Sequence, residues 1–379
     1  MRHFASSLPE TRVNCFQKRL LLNPAILTLL AASAMVAVVL IREGGDPLAL
    51  ARLGTIYSQG DPAGTQGYDG QFVYYIARDL DPASVAPFLD VASYRYQRIL
   101  LPLLARLFAF GSDQVLLWIL PAITLISQAL GTWFVAELLT SWGVSRWYAL
   151  IFGLWVGFVL AIRLDLPEPL AYALIAGGFY ADSKNHPELS YLLYGFAIFA
   201  KEVVLLFVLA SFLEKLLKRR WRQAVELSLV ALVPYMIFQI WLTQVFGSPG
   251  IGSGGAMATP FEIIPFKGIM RISHYSQLYL LAMLAVFGPA VILPVLWGIW
   301  AASKKLLEGD INFVVLALFL NGLLIPFLPF STFRETGGLL RISCGLVLAI
   351  ILFAGRYRIV RVLNYSYLLL VLNVFLLKS

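Results

Sequence analysis

An all-α bundle that crosses a membrane about 10–11 times is the fold class this sequence predicts, and three observations predict it. Hydrophobic residues make up 60% of the 379 and charged residues only 13%, whereas soluble domains run about 45–50% and about 25%. Several apolar runs reach the roughly 20 residues a helix needs to span a bilayer. Lys and Arg concentrate between those runs, so the formal charge of +8 reads as cytoplasmic loop charge and not as a nucleic-acid surface. Neither cysteine, Cys15 in an expected tail and Cys344 in an expected span, supports a disulfide framework. With only three histidines (His3, His186, His274), the chain has no pattern for a metal centre, and no cofactor is expected.

Taken in order, the chain begins with Arg2, Arg12, Lys18 and Arg19 ahead of an apolar run from Leu21 to Ile41. A signal peptide would have an h-region of about 7–15 residues and small residues at its end. Here Ala31 to Ala34 lie mid-run, so an uncleaved first span is expected, with the N-terminus cytoplasmic. A long first outer loop, 42–113, follows. In it Asp81-Pro82 pairs an N-cap with proline at the first helical position. Arg98 to Phe110 is apolar with Arg98 and Arg106 eight apart, which suggests a helix lying at the interface with both cations on nearly one face. Span two is expected over Gln114–Leu139, span three over Trp147–Ile162 and span four over Pro169–Tyr180.

Leu189–Leu217 is apolar except for Lys201-Glu202 near its centre and Glu214-Lys215 towards its end. As one helix it would bury a charge pair mid-bilayer, at about 2.5–3.5 kcal/mol per charge on insertion scales. It would also place Lys215, Lys218, Arg219, Arg220 and Arg222 outside, against the positive-inside rule. Two short helices meeting at Lys201-Glu202 remove both objections: the pair reaches the outer face and the cations return to the cytoplasm. Further spans are expected over Ala224–Phe246, Leu278–Ala302, Asn312–Phe330 and Leu339–Phe353, with a last run at Leu363–Leu377. The outer loop 247–276 opens with a Gly/Ser/Pro-rich run expected to be mobile. No internal repeat and no soluble domain is evident, so 1–379 reads as one transmembrane domain.

This topology gathers Asp69, Arg95, Arg98, Asp165, Glu168, Lys201, Glu202, Arg334, Glu335 and Arg341 on the outer side. Ionisable groups at membrane depth are costly and mark functional sites by default. Asp69 lies between Gly67 and Gly70, which permit a tight turn and close approach of a ligand; it suits a general base, or a cap for the helix that begins near Gln71. Arg95 and Arg98 are three apart and, on a helix, share a face; guanidinium forks suit phosphate, though headgroup anchoring is an alternative. Asp165 and Glu168 flank Pro167 and could orient a substrate hydroxyl, pair with Lys201 or solvate a turn. Lys201-Glu202 reads either as part of the site or as a mutually neutralising pair, and Arg334 and Glu335 add a further cation and acid. Asp79-Leu80-Asp81 matches a metal-binding D-x-D pattern, but capping explains Asp81, and no metal is assigned.

At Tyr68-Asp69-Gly70-Gln71-Phe72, continuing to Ile76-Ala77, the chain resembles the GT-C superfamily, polytopic glycosyltransferases that draw sugars from polyprenyl-phosphate carriers. The string is similar to the aromatic-Asp-Gly…Phe…Ile-Ala string of GPI-anchor mannosyltransferases, without the usual spacing between Gly and Phe. The resemblance also covers the long first outer loop with its short amphipathic helices. It implies that Asp69 is the base and that outer-face cations hold the carrier phosphate. The expected partners are then a polyprenyl-phosphate-linked sugar donor, a lipid, glycan or protein acceptor and the bilayer, with a bacterial inner membrane as location and the site facing the periplasm. A transporter or lipid-linked glycan flippase, and a non-catalytic subunit of an envelope complex, are the competing readings.

Overall fold

The computed structural model describes residues 23–377; the tail cations Arg2, Arg12, Lys18 and Arg19, and Cys15, lie outside the described residues. Among the described residues there are helices and no strands. Among the described residues five helices are long and apolar enough to cross a membrane: Pro24–Arg42, Asp113–Ser141, Trp221–Phe246, Gln277–Leu307 and Thr336–Arg356. The expected third span is instead two short helices, Arg146–Gly153 and Val156–Arg163, bent by 49°; counted as one, they make a sixth. Close tertiary contacts flank the break. A side chain at Gly153 would meet Thr28 Oγ1 at 2.1 Å, and at the break the Trp155 indole turns to donate to the Leu340 carbonyl at 3.1 Å.

The other expected spans are shorter. Glu168–Ser183 has 16 residues, Pro187–Ala200 has 14, Leu205–Leu217 has 13 and Phe313–Leu324 has 12. At about 1.5 Å per residue none covers the roughly 30 Å of a bilayer's hydrocarbon alone. The last run divides into an α-helix, Val360–Leu368, and a 3₁₀ segment, Leu369–Leu377. Two long helices each contain a π turn, Ser228–Leu232 and Gly288–Ile292. Each π turn lies just ahead of a proline, Pro234 or Pro294, which lacks an N–H and crowds the carbonyl four residues back; the wider turn accommodates it.

The helices flanking Lys201 do run out and back. Lys201 Nζ is 2.6 Å from Glu168 Oε1, at the start of the Glu168–Ser183 helix. Lys215 Nζ is 3.9 Å from Asp182, near the end of that same helix. The two ion pairs mark opposite ends of one helix, so Lys201-Glu202 is the apex of a helix pair whose far end carries Lys215 to Arg222.

The first loop is built from short helices as its patterning predicted. Asp81 caps Pro82–Val85, accepting from the Ser84 N–H at 2.9 Å. The Leu100–Phe108 helix begins after Arg98, which corrects the expected shared face: Arg106 pairs with Asp113 at 2.9 Å, whereas Arg98 turns into the bundle end. The glycine-rich segment lies over that same end. Gln239 Oε1 accepts the N–H groups of Gly250 and Ile251, Asp90 accepts that of Ala256, and Thr259 and Ser331 hydrogen-bond to each other.

Candidate functional site

A cavity of about 500 Å³ opens at the Lys201 end of the bundle. Its wall includes Asp69, Asp90, Arg95, Arg98, Lys201, Glu202, Arg334, Glu335 and Arg341, with Gly255–Ala258 of the glycine-rich segment across it. Residues far apart in the chain thus meet in one polar chamber.

The turn that presents Asp69 is closely held. Gly67 has φ +67°, a conformation that favours glycine. Tyr68 donates its backbone N–H to the Arg52 carbonyl at 2.9 Å, and the buried Gln71 side chain accepts from Gly54 N–H at 3.0 Å and donates to the Gln66 carbonyl at 2.7 Å. A Cβ at Gly70 would lie 2.1 Å from the Leu164 carbonyl oxygen, so the backbone beside Asp69 abuts the turn ahead of Glu168. Asp69 precedes the Gly70–Arg78 helix but makes no side-chain capping bond. Its carboxylate is given wholly to cations: Oδ1 lies 3.0 Å from Arg95 Nη1, and Oδ2 accepts from Arg341 Nη2 at 2.9 Å. Burial by itself would raise the Asp69 carboxyl, but Arg95, Arg341 and Arg98 together outweigh it and hold the group well below the usual carboxylate range.

Every other charge in the cluster has a partner except one. Arg95 forks Asp90 with Nε at 2.7 Å and Nη2 at 2.8 Å, and it lies over the Phe72 and Tyr94 rings at 4.3 and 5.0 Å. Arg98 forks Glu202 at 2.8 and 2.5 Å and also stacks on Tyr94. Lys201 therefore pairs with Glu168, and Glu202 with Arg98; the alternative of a self-neutralising Lys201-Glu202 pair does not hold. Arg341 Nη1 reaches Glu168 at 3.6 Å and Nη2 reaches Glu335 at 4.0 Å. Glu335 accepts from the Tyr68 hydroxyl at 2.5 Å. Arg334 is exposed at the wall with no ion pair among the described residues, its guanidinium 5.8 Å from the Phe330 ring.

Asp165 departs from its expected place. It is buried at 1% exposure with φ +51°, it does not line the cavity, and its Oδ1 has no hydrogen-bond partner among the described residues. The Leu164–Leu166 turn packs into its own small apolar cluster with Ala161, which leaves Glu168 alone of the two acids facing the cations. Glu168 lies beneath the chamber, on a separate void of about 20 Å³ shared with Asp69, Lys201 and Arg341.

A second cavity of about 530 Å³ adjoins the first. It is mostly apolar, lined by Val156, Leu160, Met283, Phe287, Leu340 and Leu372, with Arg52 and Arg163 also on its wall, and Tyr68 and Glu335 line both. The Tyr68–Glu335 hydrogen bond thus stands at the boundary between a charged chamber and an apolar one.

Sequence reasoning left three groups without a role: Arg341, Asp90 and Tyr68. Arg341 carried a signal, a lone cation at the head of an apolar run. Tyr68 stood in the aromatic-Asp-Gly string but with no partner named, and Asp90 carried no signal, since each acts through a partner distant in the chain or across a turn. Among the described residues no group of three or more His, Cys, Asp or Glu is arranged to hold a metal ion. Comparison of the chain with family models, curated proteins and solved structures gives no match.

Proposed function

We propose that the protein is a membrane glycosyltransferase of GT-C type, which moves a sugar from a polyprenyl-phosphate carrier to an acceptor hydroxyl, with Asp69 as general base. The observation that carries this reading is the pairing of the two chambers: a carboxylate among arginines on one side of Tyr68–Glu335, and an apolar space of similar size on the other. A lipid phosphate carrying a sugar needs both. The charged chamber is suited to phosphate and sugar, and the apolar one to the first isoprenoid units.

Transfer forms a bond from the acceptor oxygen to the anomeric carbon and breaks the bond from that carbon to the phosphate oxygen. The acceptor proton passes to Asp69. The bonding electrons leave with the phosphate, whose growing charge is met by fixed guanidiniums in a region of low dielectric. Arg334, which has no anionic partner among the described residues, would receive the carrier first. Arg95, Arg98 and Lys201 complete the cationic wall, while Glu168, Glu202 and Glu335 hold those cations and Arg341 in position.

The shorter helices, docked on the five long ones, would complete about 10–11 passes in a thinned or protein-lined region, where irregular backbone is tolerated. The cation-rich end from Lys215 to Arg222 would then be cytoplasmic, and the cavity would face the periplasm of a bacterial inner membrane.

The test is transfer of radiolabelled sugar from a polyprenyl-phosphate donor by purified protein. Asp69→Asn keeps the shape and removes the basicity; the expected loss is about 10²–10⁴-fold, and full turnover in that variant would remove Asp69 from the chemistry. A flippase is the second reading, favoured by the helix breaks at Leu154-Trp155 and at Lys201; broken helices of this kind line transport sites. Movement of labelled carrier across proteoliposomes without sugar transfer would decide for it.

A further inference from the structure

Among the described residues Asp69 is the one carboxylate shared by Arg95 and Arg341, giving one oxygen to each. Each arginine also has a second acid. Arg95 forks Asp90, and Arg341 lies 3.6 Å from Glu168. If Asp69 moved away, neither guanidinium would lose its place. The converse differs: among the described residues Asp69 has no capping bond, and its carboxylate has no hydrogen-bonding partner other than the two arginines. Two fixed guanidiniums meeting on one two-oxygen anion is the arrangement that binds phosphate.

We propose that Asp69 occupies, in the empty protein, the anion position of the Arg95–Arg341 pair, and that the phosphate of an incoming lipid carrier displaces it. The inference rests on the proposed glycosyltransferase reading and adds to it a coupling: donor binding is what frees the base. In the empty site the carboxylate is neutralised by two cations and is a weak proton acceptor. Once phosphate holds Arg95 and Arg341, Asp69 is released beside the sugar and can take the acceptor proton. Asp90 and Glu168 become positioning residues that keep the arginines in place through the exchange. The groups around Asp69 that set its titration are Arg95, Arg341 and Arg98, with Glu168, Glu335 and Tyr68 next to Arg341.

The exchange makes an unusual prediction, that removing the competing carboxylate strengthens phosphate binding while abolishing transfer. The probe is farnesyl phosphate, with farnesol and inorganic phosphate as the tail-only and head-only arms, bound to full-length wild type, Asp69→Asn and Asp69→Ala. Each variant loses a competing charge-assisted contact, so farnesyl phosphate should bind them at least about tenfold more tightly, with farnesol unchanged. The same tightening with inorganic phosphate would assign the gain to the anion position itself. Unchanged or weaker binding of farnesyl phosphate, or an equal gain for farnesol, would overturn the exchange. Transfer by Asp69→Asn would instead overturn the base assignment, so the two failures are distinct. Should neither variant fold, wild type decides. The acid limb of kcat, which reports the donor complex, should lie about one pH unit or more above that of kcat/KM, which reports the free protein. Coincident limbs would overturn the proposal.

Discussion

Lys201→Met isolates the contact that holds the cavity floor. Glu168 is fully buried, the Lys201 side chain is 8% exposed, and they meet at 2.6 Å. Removing one partner of such a pair costs about 3–5 kcal/mol, because it leaves the other charge buried. Arg341 Nη1 remains 3.6 Å from the same Glu168 oxygen, while Glu168 Oε2 already lacks a partner among the described residues; the residual contact places the loss near the lower end, about 3 kcal/mol. Unfolding entropy of about 2.1 cal/mol/K per residue gives roughly 0.8 kcal/mol/K for a chain of this length, so Tm should fall by about 4 °C. The assay is thermal unfolding in detergent, followed by a thiol-reactive dye in a Cys15→Ser background, since Cys344 is fully buried and reacts only when the bundle opens. Adding Glu168→Gln to Lys201→Met removes the stranded charge and should recover at least half of the loss. A fall below about 1 °C, or a double variant no more stable than the single one, would refute the reasoning.

Arg98→Lys should impair both stability and transfer, since an ammonium cannot reproduce the fork on Glu202; a destabilisation of about 1–3 kcal/mol in the same melting assay is expected, and wild-type behaviour would exclude a role for the fork. Gly70→Ala places a Cβ 2.1 Å from the Leu164 carbonyl oxygen. It should cost about 1–3 kcal/mol and reduce transfer by displacing Asp69, whereas Gly309→Ala, with no heavy atom near its Cβ site but a φ of +78°, should affect stability alone. Asp69 and Asp90 are both held below their ordinary range against the opposing effect of burial, Asp69 by Arg95, Arg341 and Arg98, and Asp90 by Arg95 together with the backbone N–H groups of Ala256 and Val91. Their contribution to stability is therefore complete above about pH 4 and lost as the pH falls from the unfolded value through the folded one; acid unfolding of Asp69→Asn should be less steep. Single-cysteine labelling with an impermeant reagent in intact cells, with Cys15 and Cys344 removed, should mark position 69 and not position 219; the reverse would invert the topology.

Local chemistry made several of these features legible in the sequence. Apolar run length and charge placement predicted an α-helical membrane bundle. The cost of a mid-bilayer charge pair predicted that Leu189–Leu217 breaks at Lys201-Glu202, and capping chemistry predicted the helix after Asp81. Two flanking glycines marked the Asp69 turn, and the gathering of its charged companions at one end followed from counting passes. The pairings did not follow. That Lys201 turns to Glu168 and Glu202 to Arg98, that Asp165 packs away from the cavity, and that Arg341 joins Asp69 to Glu168 all depend on which helix ends touch. The apolar chamber behind Tyr68 was equally hidden, because its walls come from helices more than 100 residues apart whose apolar residues read individually as lipid-facing. Hydrophobic periodicity and charge act over neighbouring residues and so show in the chain; ion-pair partners and cavities arise only when distant segments pack, and in this protein the candidate site consists of such contacts.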